Sequence, residues 1–183
     1  MRQEVDSLIS AIGGLLFAEI SSLWLPPSLG WPVRIVGAVG FVAVLWYAVL
    51  RKRPPARPPH PRSPRAIRTY LICLALEIVA VPLGGLLFIQ VLGQPAVILP
   101  WVVIVAGLHF LPFRNAFGTA LSDRLAAVLF GLGILGGALV LRWSSAYSPW
   151  TGVAAGLVLL GFAAATARVR DSQAPTGSQL GAR

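Results

Sequence analysis

Arg51–Arg68 reads RKRPPARPPHPRSPRAIR. The stretch holds seven of the fifteen Lys and Arg residues and six of the fifteen prolines of a 183-residue chain, and long apolar runs flank it on both sides. A Lys or Arg at the centre of a bilayer costs about 2.5–3.5 kcal/mol even on the lenient insertion scale. The stretch therefore stays in water, marks the cytoplasmic side, and orients every apolar run around it.

Composition agrees with that reading. The chain is 56% hydrophobic and 11% charged, with mean hydropathy +0.78, whereas a soluble domain carries about 25% charged residues. The expected class is an all-α, polytopic integral membrane bundle. The net charge of +9 falls in loops that flank apolar runs and not on one amphipathic face, so positive-inside topology explains it and no nucleic-acid partner is expected. A lone Cys73 excludes an internal disulfide and a Cys-based zinc site. Arg outnumbers Lys fourteen to one, and Ala, Gly and Pro abound, which reads as a GC-rich bacterial genome and an inner-membrane location. The first apolar run lacks an A-x-A-like cleavage site and closes at Pro26-Pro27, which reads as a retained anchor.

Crossing about 30 Å of hydrocarbon takes roughly 20 helical residues. Six runs meet or approach that length: 8–25, 33–50, 67–92, 96–113, 121–141 and 150–167. They are expected to form one six-helix transmembrane domain over 1–167, with 51–66 as its cytoplasmic basic loop and 168–183 as a disordered cytoplasmic tail. An even number of spans puts both termini on the loop's side. Thirteen basic residues then fall inside, against only Arg34 and Arg142 outside. Trp24, Trp31, Trp101, Trp143 and Trp150 fall at the outer interface and Trp46 at the inner one. Gly133/Gly137 and Gly152/Gly156 form GxxxG pairs, which predict that the fifth and sixth helices pack on each other. GGLLF occurs twice, at 13–17 and 84–88, at different depths, and is not read as a structural repeat.

Ionisable side chains within a span are functional candidates by default. Glu77 lies about 15 Å into the third run, near the midplane, where hydrocarbon favours the neutral form of an unpartnered acid. It is read as a proton-carrying or cation-binding carboxylate, or else as a buried group that fixes helix packing. His109, near the inner end of the fourth run, is a candidate proton acceptor or a hydrogen-bonded packing residue. Glu19 and Arg34 face the same side across a short loop and are expected to pair. Arg114, Asn115 and Asp123 form a polar inner end with Glu77 and His109, and would line any cavity open to the cytoplasm. Asp123 also suits a helix N-terminus without any further role.

Gly107-Leu108-His109-Phe110-Leu111-Pro112 resembles a motif of small bacterial multi-helix membrane proteins. The resemblance implies a polytopic helical fold and carries over no activity.

Arg51, Lys52, Arg53 and Arg57 are expected to contact anionic lipid headgroups, at about 1 kcal/mol per basic residue. The P-x-x-P spacings from Pro55 to Pro64 fit a partner-docking segment or the mere density of prolines. There is no GxSxG, HExxH or P-loop, and His60 and His109 are the only histidines, so neither a catalytic metal nor a cofactor is expected. The classes left open are a small transporter or channel built on Glu77 and His109, and a non-catalytic subunit or scaffold, with a membrane enzyme third. Membrane lipids are the expected partners, with a second copy or another membrane protein as further candidates.

Overall fold

A computed structural model describes residues 2–47, 64–111 and 120–172. The basic loop with Arg51, Lys52, Arg53 and Arg57 lies outside the described residues, as do Arg114, Asn115 and the tail beyond Ser172. The described residues are helical with no strand. In chain order they form α1 (Arg2–Ser22), α2 (Pro27–Leu45), α3 (Pro64–Leu86), α4 (Ile98–Phe110), α5 (Ala120–Arg142) and α6 (Tyr147–Ser172). A π-turn, Leu87–Val91, extends α3, and a 3₁₀ turn, Pro95–Val97, leads into α4.

Several helix boundaries depart from the sequence expectation, among them the start of α1, at Arg2 and not at Leu8. α2 begins at Pro27 and not after Pro32. Pro27 occupies the first turn, where its missing N–H costs nothing and its fixed φ suits a helix. Pro32 then removes only one intrahelical bond close to the helix start. At the other end α6 continues to Ser172, so 168–172 are helical and not part of a disordered tail.

Four helices are long and apolar enough to cross a membrane: Pro27–Leu45, Leu71–Val91, Asp123–Arg142 and Tyr147–Thr166. The apolar parts of α1 and α4, Leu8–Ser22 and Pro95–Phe110, are shorter, about 22–24 Å at 1.5 Å per residue.

The bundle is organised around α6, which packs on α1, α2, α4 and α5. Half of its apolar window is buried, against 6% for α3. One core cluster joins Val103, Leu125, Leu129, Ala155 and Leu159, with Phe17 and Phe110 against it. A second joins Ala11, Val44, Leu160 and Ala163, with Phe41 beside it. Neighbours run antiparallel: Gly14 meets Gly156 and Leu160 while Ser21 meets Gly152, and Gly107 meets Phe130 while Gly133 meets Ile104.

The GxxxG pairs are both used, but against partners other than those expected. Gly133 and Gly137 face Ile104 and Pro100 of α4, whereas Gly152 and Gly156 face Ser21, Gly14 and Ala18 of α1. α5 meets α6 elsewhere, where Gly136 receives Thr151. Spacing marks the face on which backbones can approach, and it carries no information about which helix arrives there.

Candidate functional site

The site lies between α3 and α4. The stripe of α3 that faces α4 is Glu77, Ala80 and Gly84, spaced i, i+3, i+7, which one face of a helix presents in line. On α4, Gly107 and His109 are two residues apart, about 200° around the helix. Gly107 meets the α5 backbone at Ala126–Phe130, so His109 turns to the opposite side, toward α3. The Gly-x-His spacing of the motif thus serves two interfaces.

Glu77 and His109 come together there. Glu77 Oε2 stands 2.9 Å from His109 Nδ1, with side chains 32% and 13% exposed. The approach does not meet the angular requirement of a linear hydrogen bond, so it is a close contact between a carboxylate oxygen and a ring nitrogen. Each group removes the cost of leaving the other unpaired in an apolar surrounding. Glu77 is six residues inside Leu71–Val91, about 9 Å from its start, so it sits in the third of the span nearest the α4 C-terminus and not at the midplane.

Trp101 fixes the other end of the α3–α4 contact. Its Nε1–H donates to the Ala80 carbonyl at 3.0 Å, its ring packs edge-on to Phe88 at 5.9 Å, and its indole occupies the space a Cβ on Gly84 would need. Pro82, inside α3, has no N–H for the carbonyl of Ile78 and loosens the helix between these contacts. Trp101 is therefore a packing residue, a correction to its expected place in an interfacial belt. Trp24, Trp31, Trp143, Trp150 and Trp46 are exposed, as belt residues are.

Asp123 is half-buried in the first turn of α5, at the same end of the bundle as His109. Glu19 and Arg34 meet as expected, at the far end. Arg34 Nε–H donates to Ser22 Oγ at 2.8 Å and lies 3.8 Å from Glu19 Oε2. Ser22 Oγ–H in turn donates to the Glu19 carbonyl at 2.6 Å. The clamp formed by Trp101, Ala80 and Gly84 was missed by sequence reasoning. Its signal was a small or polar residue recurring at 73, 77, 80 and 84 among large aliphatics.

No family model matches this chain, and neither the curated proteins nor the solved structures include a match.

Proposed function

We propose that this chain is a six-span bacterial inner-membrane protein, both termini cytoplasmic, that moves protons, alone or with a small solute. Glu77 is its proton-carrying carboxylate and His109 its partner. The observation that supports this reading is the 2.9 Å approach of Glu77 Oε2 to His109 Nδ1 across two helices. A proton shared between a carboxylate and an imidazole moves between them without changing the pair's net charge, whereas gain or loss of one changes it. The attraction that holds α3 to α4 at this level then changes too. α3 is suited to respond, because it is the least buried of the four long apolar helices and carries Pro82 between its two contacts with α4.

In proteoliposomes loaded with a pH-sensitive dye, wild type is expected to dissipate an imposed pH gradient. Glu77→Gln should abolish that flux and leave the melting temperature within a few degrees. A second reading, a non-catalytic subunit or scaffold, draws support from the apolar flanks of α3, which the bundle leaves open. It is favoured if wild type carries no flux and Glu77→Gln only lowers thermal stability.

A further inference from the structure

The Glu77–His109 pair is flanked differently on its two sides along the bundle axis. Toward the start of α3, the stripe that faces α4 continues as Cys73 and Thr69, both half-buried and spaced one helical turn apart. These are small side chains bearing a thiol and a hydroxyl. α4 ends at Phe110, one residue past His109, so its helix stops before the level of Cys73 is reached. Toward the opposite end the α3 stripe becomes Ala80 and Gly84. There α4 presents Val105 and Trp101, four and eight residues before His109 and so on the same face. Val105 is buried, and this side of the pair is apolar apart from the indole N–H.

Trp101 closes that apolar side. Its ring fills the notch at Gly84, its Nε1–H is taken by the Ala80 carbonyl at 3.0 Å, and Phe88 meets its face at 5.9 Å. The closure is held lightly, by one hydrogen bond and by the fit of an indole against a glycine. Pro82 lies between Glu77 and Gly84 and leaves the Ile78 carbonyl without its helical donor. A proline at such a place is where a helix bends. The α3 segment that bears Gly84 and Phe88 can therefore swing off Trp101 while Glu77 stays beside His109. Little else restrains it, since only 6% of the α3 apolar window is buried.

The geometry points to Trp101 as a gate on the path to the Glu77–His109 pair, an inference that rests on the proton-transport reading above. With the indole seated on Gly84, the pair exchanges protons with water only along Cys73 and Thr69, toward the end of the bundle that charge assigns to the cytoplasm. Withdrawal of the α3 segment beyond Pro82 opens the opposite side. The test is thiol accessibility from each face, with Glu77→Cys in a Cys73→Ala background, in sealed membrane vesicles of either orientation. A small charged methanethiosulfonate is the probe. With Trp101 in place the thiol should react about tenfold faster in inside-out than in right-side-out vesicles. Trp101→Ala should bring the two rates together, whereas Trp101→Phe, which keeps a ring over Gly84, should preserve the difference. Equal rates from both faces, or no reaction from either, would overturn the gate without any Trp101 variant having to fold. A difference that survives Trp101→Ala would overturn it as well. Proton flux through wild type is read separately. Its absence would overturn the transport reading, while flux together with equal labelling from both faces would overturn the gate alone.

Discussion

A Cβ on Gly84 would overlap the indole of Trp101, whereas one on Gly85 would meet open space. The two adjacent glycines therefore give a matched test of how α3 is held. Gly84→Ala must displace a ring that also donates to Ala80, an overpacking cost of about 1–3 kcal/mol. Gly85→Ala adds only the helix preference of Ala over Gly, a gain of at most about 1 kcal/mol. Thermal unfolding in detergent should show a lowered midpoint for the first and an unchanged or slightly raised one for the second. Trp101 fluorescence should shift to longer wavelength only in Gly84→Ala, because only there does the indole leave its half-buried position. Equal behaviour of the two variants would mean that Trp101 does not anchor α3.

At the scale of elements, the closest backbone approach to α6 comes from α1. A Cβ on Gly156 would stand 2.7 Å from the Gly14 carbonyl oxygen and 2.9 Å from the Ala18 amide nitrogen. Both are main-chain atoms that cannot swing aside, so the helices must separate. Lipid tails are as apolar as the helix faces, which leaves close packing to hold them together. Gly156→Val should thus lower resistance to unfolding in SDS by about 1–3 kcal/mol. Gly161→Val, with nothing within 4 Å of its Cβ, should leave that resistance close to wild type. The elements themselves were legible in the sequence, because apolar runs bounded by Pro, Arg and Gly mark helices whatever their neighbours are. The Glu19–Arg34 pairing was legible for a similar reason, since a short connection limits where each can reach. Glu77 and His109 stood out as isolated ionisable residues, but their 2.9 Å approach depends on α3 lying beside α4, which no local pattern encodes. The partners of the GxxxG faces were illegible for the same reason. Trp101 was misplaced because its distance along the chain from a helix end fits a membrane interface as well as it fits the Gly84 notch.

At the scale of the whole molecule, antiparallel packing of successive helices gathers particular ends together. The start of α1, the end of α2, the starts of α3 and α5 and the ends of α4 and α6 share one end of the bundle. The connections of α1 to α2 and α5 to α6, with the exposed Trp24, Trp31, Trp143 and Trp150, share the other. Charge then chooses which end faces the cytoplasm. In sequence, thirteen of the fifteen basic residues lie beside or beyond the helix ends gathered at the first end, and only Arg34 and Arg142 adjoin the second, and Lys and Arg near span ends set orientation. The short apolar parts of α1 and α4 span less than the roughly 30 Å hydrocarbon core, so the alternative is that one of them enters without crossing. Single-cysteine labelling in a Cys73→Ala background separates these outcomes. A membrane-impermeant maleimide added to intact cells should label Ser145→Cys, in the α5–α6 connection, and should reach Ser178→Cys only after permeabilisation. A third probe, Ser28→Cys, exposed in the first turn of α2 beside the α1–α2 connection, should label like Ser145→Cys. If α1 does not cross, Ser28→Cys and Ser145→Cys still label alike and only the N-terminus changes face, so Ser7→Cys, protected in intact cells when α1 crosses, becomes labelled. If α4 does not cross, the α1–α2 and α5–α6 connections fall on opposite faces, and only one of the two probes reacts in intact cells. Labelling of both, with Ser178→Cys protected, is the pattern the charge distribution requires.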